Sequence, residues 1–481
     1  MSHRILNRQV YHLTSRLLVL LVCIAIVACA PRATPTPVEG PAEKPLEKPA
    51  EEKVSLTFWT WFQGAHYEEN LKHMISTFRE KYPNVEVSYE SLTWQEGGQK
   101  ISIALASGDP PDVMFMYFSP DNIDTGYIMP LDDVMTEEEK ADFGKASLDA
   151  YTYGGKIYGF PVWKQLWNIG ANQELLEEAG IDWKKIQAEG WDFDEFYEVA
   201  KKLNKPKSKY SDNPQWGFVW RGTYENNGLP EMWQLWNSNC GMPIQVDEEG
   251  NWLWDDPRAL ENLKRIISYS QPGGIAAPET PAFGRGEKAG EMFLAWEAAM
   301  MSRQGPYIVP THKTRCENIE AGKEEGHCID PLMLPFPHLP GEAEINHGAI
   351  PAHIVFTHDE DKGKAHYEMA VEFARHLSSA EGDCRWAADL YEVPARDSAI
   401  EWCDENDLLK KDDANMVFFR NYYDRAPVTR VTLPPELSKL IGKFQQEVLY
   451  PNYEAALLGT LSAEEAFGNM VEGAKMLKEW K

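Results

Sequence analysis

Aromatic side chains stand beside amide and carboxyl groups in several short segments of the sequence. Trp61 is followed by Gln63, Tyr117 is followed by Asp121, and Gln165 lies in another aromatic segment. A carbohydrate carries hydroxyl groups on its rim and C–H bonds on its faces, so its site needs flat rings next to planar polar groups. Pockets for small ligands generally combine apolar walls with a few placed polar groups. We therefore predict that these five residues contact a small polar ligand.

The richest such segment runs from Trp216 to Asn239 and contains four tryptophans. Trp233 and Trp236 are three residues apart, so they would share one face of a helix. An aromatic pair at that spacing packs in a core more often than it binds a ligand, and both interpretations stay open here. With that alternative stated, we include Trp220 and Trp236 among the candidate ligand contacts.

Hydrophobic periodicity indicates which elements would position these residues. The strands and helices predicted between residues 54 and 117 are Val54–Trp59, Glu68–Tyr82, Val85–Tyr89, Gln99–Ser107 and Val113–Tyr117. Their alternation predicts an α/β lobe with right-handed crossovers. Ligands of such sheets bind beyond the carboxyl ends of the strands. The loops after the first and third predicted strands begin with the candidate residues Trp61 and Tyr117.

Length and charge limit the class of protein. More than 400 residues follow the N-terminal segment, which is too many for one simple core and predicts two lobes. The formal charge is −28, from 47 basic and 75 acidic side chains. Nucleic acid is excluded as a partner because it requires a basic surface. An acidic surface of this kind mainly confers solubility.

The N-terminus has the pattern of an export signal. Arg4, Arg8 and Arg16 precede an apolar run at Leu17–Val27, which is short for a membrane-spanning helix and is followed by Cys29. The string IVAC at residues 26–29 resembles the lipobox of bacterial lipoproteins. The resemblance implies that residues 1–28 are removed and that Cys29 is acylated. An ordinary signal peptide or a short anchor helix is the alternative.

Residues 29–53 continue as a tether between this anchor and the folded chain. The segment alternates Pro with Thr, Ala, Glu and Lys, and contains almost nothing that would join a core. Such a composition favours an extended, semi-rigid spacer. We therefore expect an extracytoplasmic protein held on the bacterial cell membrane by its lipid.

Five cysteines remain after Cys29, an odd number for an oxidising compartment. Local disulfides between Cys316 and Cys328 and between Cys384 and Cys403 are plausible. A metal site around the first pair has no standard spacing, and free thiols are the other alternative. We predict no metal.

Several segments resemble family 1 extracellular solute-binding proteins, the group that includes maltose-binding protein. The segment ASGDPPDVMF at residues 106–115 resembles the signature of that family, and its Gly108 is suited to a left-handed helix end. Similar resemblances are carried by YGGKIYGFP (153–161), NQELLEEAG (172–180), GEMFLAWEAAMMSRQGPY (290–307) and residues 370–396. Together they extend over most of the chain from Val54 onward.

The resemblance implies an α/β type II periplasmic-binding-protein fold, with a ligand cleft between two lobes joined by hinge crossings. Lobe 1 would comprise residues 54–161 and 350–396, and lobe 2 residues 162–349 and 397–481. The crossings would lie near residues 162–166, 346–353 and 395–400. Further ligand contacts implied by the resemblance are Glu297, Tyr307 and Arg396. Tyr307 stands where the family usually has Trp, and Arg396 is equally suited to an ion pair at the hinge.

The implied function is capture of a small polar solute, most simply a mono- or oligosaccharide, and its delivery to an ABC permease. The protein would be a monomer without a cofactor, and not an enzyme. A secreted carbohydrate-active enzyme is one alternative, although no GxSxG, HExxH, Walker or GxGxxG motif occurs. A surface adhesin on a Pro-rich stalk is the other.

Overall fold

The computed structural model describes residues 53–61, 65–93, 96–117, 123, 125–222, 231–283, 287–345, 348–425 and 433–476. No helix within these ranges combines the length and apolarity needed to cross a membrane. Strands and helices alternate through the first third of the chain, and helices dominate the last third.

The strands are mostly short. They are β1 (Val54–Trp61), β2 (Val85–Leu92), β3 (Val113–Tyr117), β4 (Thr152–Tyr153), β5 (Lys156–Ile157), β6 (Phe160–Pro161), β7 (Trp163–Lys164), β8 (Asn168–Asn172), β9 (Met300–Gln304), β10 (Pro331–Leu334), β11 (Pro351–Val355) and β12 (Val393–Pro394). β4 and β5 form a separate hairpin.

The helices of the first half are α1 (Ala65–Lys81), α2 (Gly97–Ala106), α3 (Glu137–Asp149), α4 (Gln173–Glu178), α5 (Trp183–Glu189), α6 (Phe193–Leu203) and α7 (Glu231–Ser238). Those of the second half are α8 (Pro257–Tyr269), α9 (Glu287–Leu294), α10 (Ile308–Glu320), α11 (Lys364–Leu377), α12 (Ala380–Leu390), α13 (Asp397–Glu405), α14 (Ala414–Arg425), α15 (Pro435–Phe444), α16 (Tyr450–Leu457) and α17 (Ala463–Met476). A short 3₁₀ turn (Thr280–Ala282) and a π-helical turn (Gln445–Leu449) complete them.

The first sheet has five strands in the order β2-β1-β3-β11-β6. β1 is parallel to β2 and to β3, whereas β11 is antiparallel to β3 and to β6. The chain therefore leaves this sheet after β6 and returns much later to insert β11 beside β3. Local periodicity predicts β1 to β3, but it carries no signal for this return.

The central strand β3 is buried on both faces. Val113 and Phe115 point into one hydrophobic cluster, and Met114 and Met116 point into another. Because successive side chains of a strand alternate between faces, a strand covered on both sides needs the continuous apolar run that VMFMY supplies.

The second sheet has three antiparallel strands in the order β10-β8-β9. Its hydrophobic cluster collects side chains from residues 169–336 together with residues 444–474 of the last helices. A fourth cluster joins residues 399–422 to Leu166, Ile308 and Val393. Leu166 and Val393 belong to segments that cross from one sheet to the other.

Three chain segments cross between the two sheets. The first contains β7, which pairs with β12 of the third segment in an antiparallel ribbon. The second approaches the first through a bridge between Gln165 and Ala349. The third crossing thus lies at Val393–Pro394, just before the predicted range of 395–400, because α13 already begins at Asp397.

Helix boundaries lie at residues whose types favour them. Asp192 forms a capping box with Glu195 at the start of α6. Gly108 follows α2 with a φ of 72°, a left-handed conformation that glycine adopts without strain.

The cysteines form two disulfides, Cys316–Cys328 and Cys384–Cys403. Cys384 lies on α12 and Cys403 on α13, so this bond ties together the two helices that flank the third crossing. Cys240 is buried as a free thiol.

Candidate ligand-binding site

Two candidate aromatic residues lie at one edge of the first sheet. β1 ends at Trp61 and β3 ends at Tyr117, and the two strands run parallel, with Phe58 paired to Val113 and Trp59 to Met114. A Cβ atom on Gly97 would overlap the ring of Trp61. The glycine at the start of α2 therefore lets this indole lie against the lobe at the carboxyl end of the sheet, where ligands of α/β folds bind.

Gln165 lies where the three crossing segments meet. Its backbone N–H donates to the Ala349 carbonyl at 2.8 Å, and the Ala349 N–H donates back at 3.2 Å. Its side-chain Oε1 accepts a hydrogen bond of 3.1 Å from the Tyr117 hydroxyl. Gln165 thus connects the first crossing directly to the end of β3.

Tyr307 lies at the far end of β9, where the chain turns into α10. A Cβ atom on Gly305 would lie 2.6 Å from the Tyr307 ring and 3.6 Å from the Trp167 ring. Gly305 is therefore required for Tyr307 to fold back over the turn. Two aromatic rings, Tyr307 and Trp167, thereby come together next to the first crossing.

The hydroxyl of Tyr117 belongs to a buried polar group. Burial raises the pKa of Tyr117 far above its usual value, and negative charge on Glu392 raises it further; Tyr151 and Tyr307 act in the same direction, while the Gln165 hydrogen bond lowers it. These effects place Gln165, Tyr307 and Glu392 within electrostatic reach of Tyr117. Of the sequence-predicted residues, the structure joins Tyr117 to Gln165 by a hydrogen bond, sets Tyr307 within electrostatic reach of Tyr117, and ends β1 at Trp61.

Trp220 and Trp236 are core residues, contrary to the prediction that they contact ligand. Both are fully buried in the cluster of the second sheet. The ring of Trp220 stacks on Phe218 with centroids 5.9 Å apart, and the Trp236 indole donates to the Tyr269 hydroxyl at 2.9 Å. The alternative interpretation, that helical aromatic spacing marks a core, is the one the structure adopts.

Glu297 lies at the wrong end of its strand to meet a ligand beside Tyr307. Glu297 precedes β9, whereas Gly305 follows β9, and the five residues of this strand span roughly 17 Å. Its carboxylate accepts hydrogen bonds from Ser211 at 2.8 Å and from Asn213 at 2.7 Å. The prediction that Glu297 contacts ligand is therefore corrected. Its role is structural, because its carboxylate holds the loop that contains Ser211 and Asn213.

Arg396 is engaged in a buried ion-pair group rather than in the cleft. Its guanidinium lies 3.4 Å from a carboxylate oxygen of Asp142 and 3.4 Å from one of Asp383. The guanidinium also covers the Phe143 ring at 4.1 Å. Of the two roles considered for Arg396, the structure supports the ion pair at the hinge.

The predicted residues Gln63 and Asp121 and the lipidation site Cys29 lie outside the described residues. Sequence reasoning overlooked Glu392. Trp167 belongs to the aromatic segment around Gln165, but it was not among the predicted ligand contacts. Glu392 was signalled only by an isolated carboxylate in the otherwise apolar string LYEVPA.

Two sheets, three crossing segments and a polar, aromatic group at the crossings define a class, the two-lobe α/β binding proteins of the type II periplasmic fold. The chain belongs to one family of that class, the bacterial extracellular solute-binding proteins. The model of this family matches residues 64–382, which is 319 of the 481 residues.

Solved structures of similar fold cover nearly the whole chain. Maltose-bound MalE3 of T. maritima has a TM-score of 0.68 at 20% identity and covers 89% of this chain and 100% of its own. The substrate-binding protein Lmo0181 of Listeria monocytogenes, in complex with cycloalternan, has a TM-score of 0.67 at 17% identity with the same coverage. At these identities the similarity establishes the fold.

A relative with a named ligand is the arabinooligosaccharide-binding protein of Bacillus subtilis (strain 168). It is 27% identical over 165 residues, which are 33% of this chain and 36% of that protein. An uncharacterized lipoprotein in the oleD 5′ region of Streptomyces antibioticus is 26% identical over 140 residues, or 28% of this chain and 30% of its own. The chain therefore matches about a third of the length of these curated relatives.

Proposed function

We propose that this protein is the solute-binding component of an ABC importer and that it captures a sugar between its lobes. The observation that carries the proposal is the group formed by Tyr117, Gln165 and Tyr307, which offers aromatic faces and a carboxamide at the meeting point of the crossing segments. The family and the names of the similar proteins support the sugar, since those names include maltose and arabinooligosaccharide.

We propose residues 54–161 and 350–396 as lobe 1, and residues 162–349 and 397–481 as lobe 2. Ligand bridging the lobes would favour a closed conformation that the free protein already samples. The closed monomer would then dock on a permease, and ATP hydrolysis there would release the solute. The chain itself binds without converting its ligand.

Replacing Tyr307 with alanine should weaken sugar binding roughly 10- to 100-fold, because burying an aromatic face against a ligand contributes about 1.5–3 kcal/mol. Calorimetric titration with maltotriose and arabinotriose measures the effect. The same incubations, analysed for cleaved sugar, test the enzyme alternative directly.

The matched control is Tyr210→Ala. Tyr210 is an exposed ring that stacks on His327 with centroids 3.6 Å apart, away from the crossing segments. Its removal should leave sugar affinity unchanged. Equal affinities of the Tyr307→Ala variant and the wild type would contradict the site, and sugar cleavage at enzymatic rates would contradict the function.

We also propose that Cys29 carries the lipid anchor. Replacing Cys29 with alanine should move the full-length protein, expressed with its own signal, from the detergent phase to the aqueous phase of a Triton X-114 partition. Cys240→Ala is the control, because that thiol is buried in the folded chain. Retention of Cys29→Ala in the detergent phase would rule out acylation at this residue as the anchor.

A further inference from the structure

The centre of the hinge contains a carboxyl group to which the proposed binding site assigns no role. In the antiparallel ribbon of β7 and β12, Val393 pairs with Lys164 and Pro394 with Trp163. Continuing this register by one residue places Glu392 opposite Gln165. Gln165 therefore has Ala349 on one side, Glu392 on the other and Tyr117 on its side chain.

The carboxyl group of Glu392 is deeply buried. The residue is 1% exposed, and neither carboxyl oxygen has a partner of good hydrogen-bond geometry among the described residues. The Gln165 side chain and the Leu166 backbone N–H nevertheless approach closely enough to influence its protonation. Burying a carboxyl without full pairing is unfavourable, so its position at the point where all crossings meet calls for a functional reason.

The backbone before Glu392 is also strained to hold it there. Tyr391 ends α12 in the left-handed conformation, with φ at 58°, where glycine is the usual residue. Lys313 of α10 fixes this tyrosine by donating to its hydroxyl at 2.8 Å, and the Glu392 N–H donates to the Ala387 carbonyl at 2.8 Å. Strain of this kind is found at functional sites more often than elsewhere.

We propose that Glu392 is a positioning residue for ligand capture: through Gln165 it ties the hinge to Tyr117, and closure of the cleft takes up one proton from solvent at this carboxyl. The proposal rests on the proposed function of the cleft. We call the series Glu392, Gln165 and Tyr117 the relay. A ligand that covers Tyr117 and Gln165 excludes water from the relay, and the loss of this water further disfavours a charge on Glu392. Closure and protonation therefore favour each other.

The surroundings of Glu392 support this direction. Burial raises its pKa well above the usual value, and the approach of the Leu166 backbone N–H and the Gln165 side chain lowers that pKa only in part. The titratable group coupled to it is the hydroxyl of Tyr117, on whose pKa Glu392 acts. The nearby ammonium of Lys164 lies over the Tyr423 ring at 4.5 Å. Ionisation at higher pH should therefore place an unfavourable charge in the closed hinge and weaken binding.

The experiment measures the dissociation constants of maltotriose and arabinotriose from pH 6 to pH 9 for the wild type, Glu392→Gln and Glu392→Leu. The wild type should bind about tenfold more weakly at pH 9 than at pH 6, as expected for uptake of up to one proton. Glu392→Gln, which keeps the relay without a titrating group, should match the wild type at pH 6 within about threefold and show no pH dependence. Glu392→Leu, which cannot hold Gln165, should bind about tenfold more weakly throughout.

The matched control is Glu401→Gln, an exposed carboxylate on α13 that should behave like the wild type. The proposal is overturned if Glu392→Gln keeps the wild-type pH dependence, or if Glu392→Leu binds as tightly as the wild type. Thermal unfolding shows whether weaker binding by Glu392→Leu comes from a loss of folding or from a loss of the contact with Gln165. Because this variant removes a buried carboxyl group, its melting temperature should not fall.

A second measurement distinguishes this proposal from the proposed function. If neither sugar binds the wild type at any pH, the sugar assignment fails by itself. The relay is then judged by small-angle scattering of the protein alone. Its radius of gyration should increase from pH 6 to pH 9 in the wild type and stay constant in Glu392→Gln, and the same response in both proteins would refute the relay.

Discussion

Replacing Asp112 with alanine is expected to lower the free energy of unfolding by about 3–5 kcal/mol, the range typical for removing one partner of a buried ionic group. Asp112 ends the turn GDPPD and precedes β3, at the opposite end of the strand from Tyr117. Its side chain is 1% exposed. The effect should therefore fall on stability and leave the chemistry of the cleft intact.

The loss is large because four donors converge on this one carboxylate. Thr57 of β1 donates through its backbone N–H at 2.7 Å and through its hydroxyl at 2.8 Å. His366 and Lys362 approach from the start of α11 and the loop before it, at 2.6 Å and 3.1 Å. Alanine would leave the Thr57 N–H, His366 and Lys362 without their acceptor, and would uncouple β1 from the segment that follows β11.

Burial alone would raise the pKa of Asp112, but hydrogen bonds from His366 and Thr57 outweigh it and hold that pKa well below its usual value. A depressed pKa means that the stabilising contribution is complete above the unfolded-state pKa of about 4 and is lost as the pH falls through the folded-state pKa. The penalty for Asp112→Ala should therefore be fully present at pH 7.

Urea unfolding of the wild type and Asp112→Ala, followed by tryptophan fluorescence, measures this difference. Asp109→Ala is the control, because Asp109 is exposed in the same turn and should change the free energy of unfolding by less than about 0.5 kcal/mol. A loss of under about 1 kcal/mol for Asp112→Ala would show that the cluster does not hold the lobe together.

Strands and helix ends are predicted well where the pattern that specifies them lies within one short segment of sequence. The predicted strand Val113–Tyr117 has the bounds of β3, and Gly108 follows α2 in the left-handed conformation expected for it. By contrast, the antiparallel insertion of β11 between β3 and β6 depends on contacts between distant parts of the chain. Helical and strand periodicities contain no information about such contacts.

Candidate site residues could be proposed from the sequence only where a general rule of the fold gives their position, namely that ligands bind beyond the carboxyl ends of the strands. Tyr117 ends β3 at the carboxyl edge of the sheet, where ligands of such folds bind, and it stays a predicted ligand contact. Trp236 had the right type, but helical spacing does not reveal which neighbours meet its face, and Phe193 and Tyr269 enclose it. Glu392 was missed because only the pairing of β7 with β12 shows that it faces Gln165.

The second large effect concerns acid. The unfolding free energy should fall by about 4 kcal/mol between pH 7.5 and pH 5 through His353 and His312 together, or about 2 kcal/mol for each. Burial lowers the pKa of His353 to about 3, and burial with the nearby charge of Arg315 lowers that of His312 to about 4. Both side chains are thus uncharged in the folded protein and become protonated below pH 6.5 only on unfolding, so acid favours the unfolded chain.

His353 allows the sharper test because its environment is simple. It lies on β11 between Phe58 and Phe115, with ring centroids 5.9 Å and 5.7 Å away, and it shares one hydrogen bond of 2.7 Å with the Ser378 hydroxyl. The double variant His353→Phe with Ser378→Ala replaces both partners by apolar groups, which is nearly neutral when shape is kept. It removes the titrating group without leaving a buried hydroxyl unpaired.

Urea unfolding at pH 7.5 and at pH 5 should then show that the double variant loses about 2 kcal/mol less on acidification than the wild type. His327→Gln provides the control, since His327 is exposed and its replacement should leave the loss on acidification unchanged. A double variant as acid-sensitive as the wild type would mean that His353 is already protonated in the folded protein. Its burial at the centre of the first sheet would then have to be balanced by a negative charge that the described residues around it do not supply.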